Sequence, residues 1–390
     1  WNALALTYIS MLAFTFVFQS IPPVLTLIIH ELGLSHTQAG LLMSLFALPG
    51  IFLSIPGGIL FDRYGTKKIT ITCFLFMIVG TLIVVFGRTF LHLAFGRVLS
   101  GVGALILSIG LPQFLSKWFN GRELGAAMGI FNTALPLGTI ISFVTFGTLG
   151  KNYGWQASVS VGGFVTLFAL MVFLIFYRPH PPIKNNSPQG KKVGLSSFRN
   201  AGISIWIVGL AWMWFNASTI SFATFAPDFF IKDKGFSIEF AGFLTSFLVW
   251  GSFLFSPVVG YVTDKIGFKE SLIAIGGFTL ATFTFFIPYS NTPIIFFMVL
   301  IGISVALIPA PVFSLPPDIM EPQNLGFGFG VIATCLGLGM VLGPYVVGLI
   351  KDWTQSYSTG FWVMSFFALC VTGTILFLFR LKSVMGEGEG

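Results

Sequence analysis

The sequence predicts an all-α integral membrane protein with twelve transmembrane helices in two pseudo-symmetric six-helix bundles. Three observations carry that prediction. Of 390 residues, 55% are apolar and only 8% charged, with mean hydropathy +0.92; a soluble domain carries about 25% charged residues. Apolar runs of roughly 20 residues, the length a helix needs to cross about 30 Å of hydrocarbon, recur from end to end, and the period-2 alternation of a transmembrane barrel is absent. The two halves of the chain also repeat each other at a fixed offset.

Charges, Gly/Pro/Asn clusters and short polar turns divide the apolar runs into spans near 4–29, 37–61, 69–87, 91–115, 125–148, 155–177, 201–229, 239–262, 271–289, 293–317, 325–349 and 358–380. The first run is too long for a signal-peptide core and reads as a retained span. The stretch "IPAPVFSLPP" at 308–317 predicts a kink in span 10, because proline withdraws an N–H from the helical ladder. The one long polar segment, "RPHPPIKNNSPQGKKVGLSSFRN" at 178–200, reads as a linker and splits the spans six and six. The expected units are therefore an N-terminal bundle at 1–177, the linker at 178–200 and a C-terminal bundle at 201–390.

With the linker and both chain ends on one face, fourteen basic residues fall there, from Arg63 to Lys382, against five on the other, namely Arg88, Lys151, Lys232, Lys234 and Lys351. The positive-inside rule then makes the linker face cytoplasmic, with both termini inside a cell inner (plasma) membrane. This explains the net charge of +7 without nucleic acid. Cys73, Cys335 and Cys370 stand alone in apolar runs and read as small core residues, not as a disulfide or zinc framework. No Walker motif, catalytic triad or metal-ligand cluster occurs, so no enzyme activity or cofactor is expected. "GFGFG" at 326–330 follows no strand and reads as small-residue helix packing.

The internal repeat is strongest where "GLSHTQAGLLMSLFALPGIFLSIPGGILFDRYGTKK" from Gly33 aligns without gaps to "GFSIEFAGFLTSFLVWGSFLFSPVVGYVTDKIGFKE" from Gly235. Eleven of 36 positions are identical, including Gly40/Gly242, Gly58/Gly260, Asp62/Asp264, Gly65/Gly267 and Lys67/Lys269. A second match pairs "GAAMGIFNTALPLG" from Gly125 with "GFGFGVIATCLGLG" from Gly326. Parallel six-span repeats suit two bundles rocking about a mid-membrane site.

The loop after span 2 resembles the signature of the major facilitator superfamily, G-x-x-x-D-R-x-G-x-[KR]-[KR], in Gly58, Asp62, Arg63, Gly65, Lys67 and Lys68. A degenerate copy follows span 8 in Gly260, Asp264, Lys265, Gly267 and Lys269. The resemblance covers the whole chain and implies that fold. It also implies a conformational latch in which Asp62 meets the start of span 11, near Leu325 and Gly326, and Asp264 meets the start of span 5, near Leu124 and Gly125. A carboxylate at a helix N-terminus contributes roughly 0.3–1 kcal/mol when exposed and up to about 2 when partly buried. The family's span-4 motif R-x-x-x-G-x-G matches at Arg97, Gly101 and Gly103. Its span-5 antiporter motif is incomplete, since Ser142-Phe143 stands for Gly-Pro, and the full pattern appears instead in span 11 at Gly330, Gly339, Gly343 and Pro344.

Arg97 is the one basic residue well inside a span, and an ionisable group there is a functional candidate by default. Two readings stand: it binds an anionic substrate by charge-assisted hydrogen bonds, or it bonds backbone carbonyls or Asp228 as an outer-gate strut. Gln19, Gln113, Asn132, Asn216, Trp212 and Trp250 are the other candidate substrate-binding residues, with interhelical packing as their alternative role. Asp228, in "FAPDFF", is the deepest outer-side acid and the candidate outer gate. The expected function is a secondary transporter, acting as a monomer, that moves a small organic or inorganic anion by alternating access. A proton is the candidate coupling ion. The alternative is a proton-coupled exporter of apolar drugs or lipids, for which 47 Phe residues speak and the lapsed span-5 motif does not.

Overall fold

A computed structural model of the chain describes residues 1–119, 122–178, 202–266, 268–290, 293–320 and 325–386. Twelve helices among these residues are long and apolar enough to cross a membrane. Spans 2, 3, 4 and 6 are His36–Tyr64, Thr66–Phe86, Phe90–Trp118 and Trp155–Phe176. Spans 7, 8, 9, 11 and 12 are Gly202–Lys232, Ile238–Ile266, Lys269–Phe286, Leu325–Thr354 and Tyr357–Gly386. Span 6 ends and span 7 begins on what we call the linker face; the opposite one is the distal face. The linker expected at 178–200 lies, beyond Arg178, outside the described residues.

Three spans are broken, each for a local reason. Span 1 runs as a helix over Asn2–Phe18, passes through a 3-10 turn at Pro22–Val24 and resumes over Leu25–Leu32. Pro22 and Pro23 have no N–H, so the carbonyls one turn earlier lose their helical donors. Gly33 then ends the span in the left-handed conformation at φ 62. Span 5 divides at Thr133 into Arg122–Asn132 and Ala134–Tyr153. Span 10 gives three pieces, Ile294–Ala306, Pro309–Ser314 and Pro316–Ile319, at the prolines that predicted a kink.

The surface is inverted relative to a soluble protein. Phe52, Phe95, Phe164, Phe168 and Phe366 point outward, while small residues sit where helices cross. A Cβ at Gly40 would run into the Pro344 carbonyl, and one at Gly242 into the Phe143 carbonyl. Span 2 thereby lies directly on span 11, and span 8 on span 5, so the two halves meet through a matched pair of crossings. The internal repeat is the origin of that match: residue 40 corresponds to 242, and 143 to 344.

Candidate functional site

Span 4 positions Arg97 by close packing. Gly101 admits the Phe46 carbonyl of span 2 and Gly103 the Cys73 carbonyl of span 3; a Cβ at either would collide. The guanidinium then reaches three backbone oxygens, donating from Nε to Leu42 at 3.1 Å, from Nη1 to Val17 at 2.8 Å and from Nη2 to Phe18 at 3.2 Å. Nη2 also faces Met43 Sδ at 3.5 Å, and the cation lies 4.4 Å from the Phe46 ring centre. In an unbroken helix the Phe18 carbonyl would accept from the N–H of residue 22, which Pro22 lacks. Arg97 supplies the missing donor. It is 1% exposed and, among the described residues, forms no ion pair with a carboxylate.

A polar cluster joins the halves at the distal face. Asp228, 2% exposed near the end of span 7, accepts from Thr26 of span 1 at 2.7 Å and from the Tyr357 hydroxyl of span 12 at 2.5 Å. His36, at the start of span 2, sets Nε2 3.2 Å from Asp228 Oδ2 and Nδ1 3.2 Å from Asp352 Oδ1. Asp352, at the end of span 11, also accepts from the backbone N–H of His36 and of Thr37, at 2.9 and 2.7 Å, and from the Thr37 hydroxyl at 2.6 Å. The carboxylate of one half thus sits on the exposed helix N-terminus of the other, where free N–H groups and the helix dipole favour it. On the opposite flank, Lys151 at the end of span 5 donates to Glu239 at the start of span 8 at 2.7 Å.

The family profile described as Major Facilitator Superfamily matches residues 7–241 and 214–388. The chain belongs to the major facilitator superfamily. It is a multi-pass membrane protein and a secondary transporter of small solutes. The hexuronate transporter of Bacillus subtilis (strain 168) is 24% identical over 386 residues, covering 92% of this chain and 89% of the relative. The lysosomal dipeptide transporter of Danio rerio is 24% identical over 353 residues, covering 83% of this chain and 75% of the relative. A solved bacterial homologue of the human lysosomal transporter Spinster, inward-facing and unoccupied, superposes with TM-score 0.82 at 18% identity, covering 97% of this chain and 96% of that one.

Within this superfamily member the remaining candidates scatter. Gln19 caps the first piece of span 1, where the break begins, its Nε2 3.5 Å from Thr139 Oγ1 and its buried Oε1 without a partner among the described residues. On span 7, Asn216 donates to the Trp212 carbonyl at 2.8 Å, and Trp212 stacks on Phe215 and meets Phe313 edge-on. Trp250 donates to Ser246 at 3.2 Å on its own helix. Gln113 is half-buried and Asn132 exposed. Among the described residues, no hydrogen bond ties Arg97 or Gln19 to Asn216, Trp212 or Trp250. In the superfamily's loop signature, Arg63, Lys67, Lys68 and Lys265 are exposed, Gly58 is half-buried, and Gly65 turns the chain at φ 80. Lys269 pairs with Asp318 at 2.5 Å inside its own half. The side chains of Asp62 and Asp264, with Gly267, lie outside the described residues.

His36, Thr26, Asp352 and Tyr357 are absent from the sequence reading of the site. One signal for them was present: Thr26 and Asp228 are 202 residues apart, the repeat offset itself. Equivalent positions of the two halves that touch must lie on the pseudo-symmetry axis, where the bundles meet.

Proposed function

We propose that this transporter carries a small organic solute bearing a carboxylate across the plasma membrane by alternating access, with both chain ends in the cytoplasm. The observation that supports this reading most is Arg97. Its buried charge has carbonyls and an aromatic face for neighbours but, among the described residues, no carboxylate, and four of its five N–H groups are used. A buried cation without a counter-ion favours an anionic group that brings the missing charge. Hexuronates and dipeptides, the cargo in the names of the two relatives, share a carboxylate and little else.

In this reading the distal face is extracellular and closed by the Asp228 and Asp352 contacts, and Gln19 and Asn216 offer amides to the solute from facing bundles. Opening and closing on the cytoplasmic face falls to the Asp62 and Asp264 loops, whose carboxylates seek the helix starts at Leu325 and Leu124. A single chain holds both bundles, so a monomer suffices.

The test is a thermal-shift panel on purified protein, pairing glucuronate with glucose and dipeptides with their C-terminal amides. A ligand at a hundred times its Kd stabilises the folded state by about 2.7 kcal/mol through mass action. We expect one or more carboxylates to raise the unfolding midpoint and their counterparts lacking the carboxylate to leave it unchanged. Equal stabilisation by the partner without a carboxylate removes the anion reading.

A further inference from the structure

We propose that the distal gate is a proton-binding site: closing it traps one proton on the His36 imidazole between Asp228 and Asp352. The argument is a count of hydrogens. Both ring nitrogens face carboxylate oxygens at 3.2 Å. A neutral imidazole has one N–H and one lone pair, so it satisfies one carboxylate and turns a lone pair on the other. The imidazolium has two N–H groups and satisfies both.

The extra proton has no better home in the cluster. Both oxygens of Asp352 already receive N–H or O–H donors, from His36, Thr37 and the Thr37 hydroxyl. Asp228 Oδ1 accepts from Thr26, and its Oδ2 accepts from Tyr357. The Tyr357 hydroxyl, its hydrogen given to Asp228, presents an oxygen 3.4 Å from His36 Nε2 and so also calls for an N–H there. Carboxylates filled with donors hold their charge.

Charge balance gives the same answer independently. Span 7 brings Asp228, span 11 brings Asp352 and the buried Lys351, whose ammonium lies 4.1 Å from the Tyr357 ring centre, and span 2 brings His36. Two carboxylates, one ammonium and one imidazolium sum to zero, whereas a neutral ring leaves a net negative charge in a partly buried site. Asp233, just past the end of span 7, acts on Tyr357 across space but is exposed, so water screens its charge, and His30, Glu31 and Lys232, which with Thr26 line a distal pocket of about 410 Å³, face water. His36 keeps 20% of its side chain exposed, so protons from the distal solution reach it.

Opening the gate moves His36 with the N-terminal half away from Asp228 and Asp352 on the C-terminal half. A histidine in water is mostly neutral above about pH 6.5. The closed gate therefore binds more protons than the open gate, and by linkage acid favours closure while alkali favours opening. This couples the distal proton concentration to one limb of alternating access, and it holds whatever the solute.

The full chain, with Cys73, Cys335 and Cys370 replaced by serine and spin labels on Arg88→Cys and Tyr289→Cys, reports the distance between the halves at the distal face in lipid nanodiscs. In the parent, the closed population should fall as pH rises from about 5.5 to about 8.5. His36→Gln, which takes up no second proton, should be shifted toward open and show no pH response. His36→Arg, a permanent cation with a forked donor set, should stay closed throughout. Asp352→Asn, which takes away one of the two carboxylates facing the ring, should move the parent's transition to lower pH. A flat parent profile overturns the proposal. So does a His36→Gln profile that matches the parent, or displacement of the Gln and Arg variants in the same direction.

Discussion

At the scale of single residues, Arg97 shows how a backbone fault calls for a particular side chain. Pro22 leaves the Phe18 carbonyl without its helical partner, and a guanidinium with a rigid fork of donors reaches that carbonyl, Val17 and Leu42 at once. A lysine would keep the charge but bond as a single point, so Arg97→Lys isolates the geometry from the electrostatics. Interhelical hydrogen bonds in membranes contribute about 0.6–1.7 kcal/mol each. Losing two should lower stability by about 1–3 kcal/mol, read as a lower unfolding midpoint in the absence of any solute. If Arg97→Lys unfolds with the parent and only solute binding suffers, the stapling role is wrong. The sequence marked Arg97 as an ionisable group inside a span but left open whether it meets a solute, Asp228 or backbone carbonyls, because carbonyl oxygens carry no letter of their own.

At the scale of helices, the decisive contacts are glycine on carbonyl. Gly40 lies on Pro344 and Gly242 on Phe143, and neither crossing leaves room for a methyl group. Overpacking a tight contact costs about 1–3 kcal/mol, and because these crossings join the two halves, the cost falls on the distal-closed state. Gly40→Ala should therefore raise the distal-open to distal-closed ratio by roughly fivefold or more, taking 1.4 kcal/mol per decade. The distance between labels at residues 88 and 289 measures it, and an unchanged distribution would contradict the reading. The span pattern and the Gly40/Gly242 identity were legible because hydrophobic length and repetition are properties of sequence alone. The partners of those glycines were not legible, since Pro344 and Phe143 share no residue type and act through their main chains. The gate was hidden for a related reason: His36 and Asp352 stand at helix ends, where nothing in the sequence alone separates them from other polar residues of the turns.

At the scale of the whole molecule, the repeat makes two locks of one design and then sets them unequal. Thr37 corresponds to Glu239, and Lys151 to Asp352, so spans 2 and 11 close against each other as spans 8 and 5 do. The second lock is a single ion pair whose side chains are 56% and 36% exposed, and such surface pairs contribute about 0–1 kcal/mol. The first is Asp352 on a helix N-terminus, with three donors from His36 and Thr37 and only 26% exposure. A partly buried carboxylate so placed gains up to about 2 kcal/mol from the helix alone. Lys151→Ala should shift the open-to-closed ratio by less than about fivefold, and Asp352→Ala by about thirtyfold, both read at one and the same acidic pH. Equal shifts would mean that the halves close symmetrically, with the strength of the gate lying in the glycine crossings and not in its charges. Unequal shifts mean that one flank holds while the other guides.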